Sequence, residues 1–141
     1  MKLCIFMILK RMKLYNTAMM CFILQKMSQD HQDENRRLCS EFENISDTAL
    51  SQPNNTEELV SLKQKVAHIQ TVVMAEKEEE LTAAAHRLVF LSDYLQFTTA
   101  EMKLNTKTFQ WHAKMPQIFD EHDSIVKEKT SEYQKALKLR R

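Results

Sequence analysis

Not one of the 141 residues is glycine. Average usage near 7% would supply about ten. Glycine is the residue that adopts positive φ without a steric penalty and lets backbone approach a phosphate closely. Phosphate-cradling loops, dinucleotide-binding turns and nucleophile elbows therefore cannot be built here in their usual form. Only two prolines, Pro53 and Pro116, add further punctuation. A chain with so few breakers has room for a few long elements, and long elements are helices. The expected fold is all-α, an elongated helical bundle with coiled-coil-like long helices, and neither a catalytic nor a cofactor-binding site is expected.

Charge adds a second exclusion. Lys and Arg total 20 against 19 Asp and Glu, so no net field points to nucleic acid or to an acidic substrate. The balance conceals an asymmetry: residues 1–27 hold Lys2, Lys10, Arg11, Lys13 and Lys26 and no acid. Residues 28–80 carry twelve acids and five bases, and residues 81–141 seven acids and ten bases. Cys4, Cys21 and Cys39 are widely spaced and odd in number, which reads as free thiols rather than a disulfide frame.

The basic start contains two apolar runs, Leu3–Leu9 and Ala18–Leu24, separated by Lys10, Arg11, Lys13 and Asn16. Neither run approaches the roughly 20 residues of a membrane-spanning helix. The segment could serve as a mitochondrial presequence or a membrane-surface helix. The reading adopted is a helical segment over 1–37 that packs its apolar faces on neighbours.

From residue 38 a helical period sets in. Leu38, Phe42, Ile45 and Ala49 share one stripe and predict a helix over about 38–50. Ser51-Gln52-Pro53-Asn54-Asn55 breaks it, and Asn55 with Glu58 three residues on reads as a capping box. The second helix is expected over 56–97. Its seam is Leu59, Leu62, Val66, Ile69 and Val73, which alternate in steps of three and four. Glu76-Lys77-Glu78-Glu79-Glu80 is read as a solvated face, with Ala84, Leu88, Leu91 and Leu95 resuming the stripe. Residues 98–108 mix turn and helix formers and are taken as the main connection. Pro116 suits the first turn of a last helix over 116–140, along which Ile118, His122, Ile125 and Tyr133 recur. Asp120, Glu121 and Asp123 at its start, and Lys135, Lys138, Arg140 and Arg141 at its end, complement the helix dipole. The finish on Arg140-Arg141 without a cap suggests a parent structure that continues.

Chemistry-bearing groups do not assemble. In Asp120-Glu121-His122-Asp123, adjacent helical side chains point about 100° apart and cannot converge on one ion. The five histidines share no ligand spacing, and Cys39 beside Leu38 reads as a buried thiol. No metal site is expected. Phe109, Trp111, Ile118 and Phe119 read as the aromatic and aliphatic anchor of a helix junction.

Several stretches resemble the tail of axonemal dynein heavy chains. They are Leu38-Cys39-Ser40-Glu41-Phe42-Glu43-Asn44-Ile45, Pro53 to Leu59, Leu104 to Trp111, Met115 to Phe119, and Tyr133 to Arg141. The order and spacing of these segments carry the likeness, over roughly 38–141, and it is closest to the single-headed inner-arm type. The resemblance implies a helical-bundle segment beside the linker of a ciliary motor. It implies association with other heavy-chain segments or with intermediate and light chains, and a place in the cytoskeleton of the axoneme. Nothing in this chain matches the family's ATP-binding or microtubule-binding residues. No small-molecule substrate, nucleic acid or membrane partner is expected. Two other readings stand beside it: a self-associating coiled-coil adaptor, and a membrane- or mitochondrially targeted helical protein.

Overall fold

The structure is a computed structural model that describes residues 17–139. The run Leu3–Leu9, its flanking cations and the terminal Arg140-Arg141 lie outside the described residues. The elements are α1 (Thr17–Ala49), α2 (Thr56–His68), a π-helical turn (Ile69–Val73), α3 (Met74–Ser92) and α4 (Thr99–Leu139). Among the described residues there is no strand.

Helix α1 runs for 33 residues, so the stripe expected over 38–50 is the second half of a longer helix. No proline or glycine interrupts it, and Lys26–Asp30, Arg36–Asp33 and Arg37–Glu41 bridge successive turns along its surface. It ends where Ser51 donates its hydroxyl to the Thr48 carbonyl (2.8 Å) and Pro53 bars the α conformation from the residue before it. Helix α2 opens on the capping box: Glu58 N–H donates to Asn55 Oδ1 (2.8 Å), while the Glu58 carboxylate accepts from the Asn54 N–H (2.7 Å).

The π turn has a local cause. Four of the five residues in Ile69-Gln70-Thr71-Val72-Val73 are β-branched and crowd the preceding turn of an α-helix. Thr71 Oγ1 also donates to the Ala67 carbonyl (2.9 Å). The Met74 N–H then reaches back five residues to the Ile69 carbonyl. The extra residue rotates the helix beyond it, so the inward positions after Val73 are Lys77, Leu81, Ala84 and Leu91. Lys77 is thereby buried, against the expectation of a solvated 76–80 stretch. It forms ion pairs with Glu41 of α1 and with Glu80.

The expected connection at 98–108 is instead the start of α4, and the break lies at 93–98. The chain leaves α3 through Asp93 in right-handed α conformation (φ −75°), in keeping with a sequence that has no glycine to place in a left-handed cap. Thr98 and Glu101 then cap each other: Glu101 N–H donates to Thr98 Oγ1, and Thr98 N–H to the Glu101 carboxylate, both 3.2 Å. This second capping box is what makes 99–108 helical. Pro116 consequently lies inside a 41-residue helix and not at its start. Its ring nitrogen cannot donate to the His112 carbonyl one turn back. Pro116→Ala is therefore expected to raise the melting temperature, checked by circular dichroism. A lowered melting temperature would mean that the proline geometry is required for packing.

Cross-contacts give the topology. Cys39 meets Thr108, Phe42 stacks on Trp111, and His122 touches the Ala49 carbonyl, so α1 and α4 run parallel. Lys77 meets Glu41 and Arg87 meets His31, so α3 runs antiparallel to α1. The result is an up-down-up three-helix bundle. Leu38, Phe42 and Ile45 of α1, Leu81 and Ala84 of α3, and Trp111 and Met115 of α4 form the main core. Ala49, Leu62 and Val66 continue it toward the first turn, where the Tyr133 hydroxyl donates to the Pro53 carbonyl (2.9 Å).

Candidate interaction surface

Packing absorbs most of the residues singled out as a seam or anchor. Leu59, Leu62 and Val66 are buried, and Ile69 and Val73 are half-buried against the main core. Trp111 is buried in a parallel stack on Phe42, with ring centroids 5.5 Å apart, and Lys114 lies over its face at 5.1 Å. Phe109, Ile118 and Phe119 are half-buried beside the same core. The α2 seam faces α1 and α4 within this chain.

A polar layer that apolar periodicity does not single out crosses the end of the bundle where α3 connects to α4. His31, Gln32 and Asn35 of α1 and Asn105 of α4 are all buried. Asn35 Nδ2 donates to Asn105 Oδ1 at 2.9 Å, and His31 Nε2 lies 2.9 Å from the same oxygen. Arg87 Nε donates to His31 Nδ1 at 3.4 Å. A guanidinium can only donate, so Nδ1 is the acceptor and the imidazole proton sits on Nε2, directed at Asn105. Burial, and then the Arg87 charge, hold the His31 pKa below its ordinary value, against an opposing pull from the Asn105 hydrogen bond. Both amide atoms of Gln32 and the Oδ1 of Asn35 are buried without a partner. The layer is a half-satisfied polar network, the kind that weakens a bundle locally.

The sequence does carry a signal for it. His31 and Asn35 continue the Leu38, Phe42, Ile45, Ala49 stripe in steps of four and three. Asn105 and Thr108 precede Trp111, Met115 and His122 on the inward stripe of α4.

The rest of the surface intersperses charges of both signs with exposed apolar side chains such as Phe22, Val89 and Leu137. Arg37 of α1 reaches Glu34, Glu41 and Glu80, and with Lys77 it ties α1 to α3. Burial opposes ionisation of Glu41, but hydrogen bonds from Lys77 and Arg37 outweigh it and hold the carboxyl below the usual carboxylate range. Lys107 pairs with Glu43 across α1 and α4 (3.0 Å). Near the α3–α4 connection, Met27, Asp30, His86, Arg87, Phe90 and Leu91 line a groove of about 390 Å³. No group of three or more His, Cys, Asp or Glu side chains among the described residues could hold a metal ion. No described helix is long and apolar enough to cross a membrane.

These features define an all-α bundle whose interior is given over to packing and whose outer face is a mixed charged surface. No family model matches the chain, and no solved structure matches it. By sequence, 104 residues (74% of the chain) are similar to dynein axonemal heavy chain 12 of Mus musculus at 30% identity. The Homo sapiens protein of the same name matches over the same length at 30%, and the Rattus norvegicus one at 26%. The chain is thus related to dynein heavy chains. The match spans about 3% of the length of these relatives.

Proposed function

We propose that this chain is a non-catalytic helical scaffold segment of the axonemal dynein type. It corresponds to part of an inner-arm, single-headed heavy-chain tail beside the linker. It binds other heavy-chain segments or intermediate and light chains, and it serves microtubule-based movement in the axoneme of a cilium. The carrying observation is the 104-residue similarity to dynein axonemal heavy chain 12. The fold supports it, since a bundle closed on its own apolar stripes meets partners through the charged outer faces of α1, α3 and α4.

Self-association as a coiled-coil adaptor is a second reading, favoured by Phe22 (69% exposed) near the start of α1 and Leu139 (87% exposed) at the end of α4. Capture of ciliated-cell extract on the tagged 141-residue chain, paired with sedimentation of the chain alone, separates the two. Recovery of axonemal dynein subunits by a chain that sediments as a monomer is the expected result. A stable homodimer that recovers no dynein subunit would replace the scaffold reading with the adaptor.

A further inference from the structure

The layer around His31 joins three helices through one imidazole, and each of its contacts depends on where the proton sits. Nε2–H serves Asn105 of α4, and the Nδ1 lone pair accepts from Arg87 of α3. His31 is fully buried, so neither nitrogen can turn to solvent without local opening. We propose that this layer is a proton-operated latch: neutral His31 holds α1 to α3 and α4, and a proton taken up at Nδ1 releases α3 at this level.

The chemistry is a single protonation. A solvent proton binds the Nδ1 lone pair, the Arg87 N–H loses its acceptor, and an imidazolium N–H faces a guanidinium N–H at what was hydrogen-bond distance. Nothing nearby offsets the new charge well. From α3 the facing charged group is Arg87, with exposed His86 beside it in sequence. From α4 it is Asn105, which carries no charge. On α1 itself, Asp30 is engaged by Lys26, and Glu34 is held by Arg37 while it also faces the Arg87 charge. The layer is also poorly held to begin with. Asn35 Nδ2 lies 3.2 Å from Nε2, and in this tautomer both nitrogens carry hydrogen. Gln32 contributes a buried amide with no partner. Such a network opens more readily than the apolar core below it.

The direction with pH comes from linkage. The folded state holds His31 below the 6.5 of an unperturbed histidine. The unfolded chain therefore binds the proton first as pH falls, so stability is fully present above about pH 6.5 and is lost as pH drops through the folded-state value. Acid loss from Glu41 sets in lower, below its ordinary 4.5, so it is separated from the His31 loss that begins below about pH 6.5.

The test is thermal unfolding of the full 141-residue chain between pH 5 and 7.5, read by circular dichroism. The wild-type midpoint is expected to fall by several degrees across the window, and His31→Gln to abolish most of that fall. Asn105→Asp places a carboxylate against Nε2, favours the imidazolium, and is expected to flatten or reverse the slope. A structural role for His31 alone would not produce that reversal. Arg87→Met removes the opposing guanidinium and is expected to shallow the slope, which keeps the test open should His31→Gln fail to fold. Wild-type slopes in both Asn105→Asp and Arg87→Met would overturn the latch.

Discussion

Phe42→Ala is expected to cost about 3–5 kcal/mol, the range for truncating a fully buried aromatic side chain. Phe42 has no exposed surface, stacks on Trp111 from α4, and belongs to the core that Leu81 and Ala84 line from α3. Its removal leaves a cavity where all three rods meet, and small domains are stable by only about 5–15 kcal/mol. The expected fall in melting temperature is roughly 10–15 °C. Phe22→Ala, at a ring that is 69% exposed, is the matched control and is expected to change stability by less than about 0.5 kcal/mol. Equal effects at the two positions would remove the assignment of the core.

Val66→Asp tests the α2 seam in the same manner and is expected to be at least as severe. Val66 is 1% exposed between Ala49 and Leu62, with Ile118 and Phe119 of α4 beside it. A carboxylate there has no cation to meet among these side chains. It must either remain ionised in an apolar site or take up a proton, at a cost of about 3 kcal/mol or more. Val60→Asp changes the same residue type six positions earlier, where the side chain is 49% exposed. It is expected to stay within about 0.5 kcal/mol of wild type. Helicity measured through urea titration separates the pair, and a fully stable Val66→Asp chain would show that the seam does not face inward.

These sites differ in how legible they are from sequence. Apolar periodicity locates Leu38 to Ala49 and Leu59 to Val73 because each inward position there is a residue that water disfavours. The Asn55–Glu58 capping box marks the start of α2 to the residue. Periodicity fails where inward positions are polar. His31, Asn35, Asn105 and Thr108 lie on the correct stripes, but a hydrophobicity pattern skips them, which shortens α1 at its start and begins α4 too late. It fails again at Lys77, because a π turn shifts the register by one residue and the first inward position it creates is a cation. Pro116 pulls the expected start of the last helix toward itself, a strong local preference overridden by packing of Trp111 and Met115 along one continuous rod. Thr98 and Glu101 carry the missing boundary in plain view.

The claim on which the rest depends is that the three rods close on one another within a single chain, with α1 and α4 parallel. The Cys39 thiol and the Thr108 hydroxyl lie 3.4 Å apart across those two helices. Thr108→Cys, in a chain with Cys4 and Cys21 replaced by serine, brings a second sulfur to the position of that hydroxyl, within easy reach of a disulfide length near 2.05 Å. Mild oxidation followed by non-reducing electrophoresis and peptide mapping is expected to give a monomer with the 39–108 bridge closed within the chain. Bridging only between chains, or two thiols that stay reduced, would contradict the bundle.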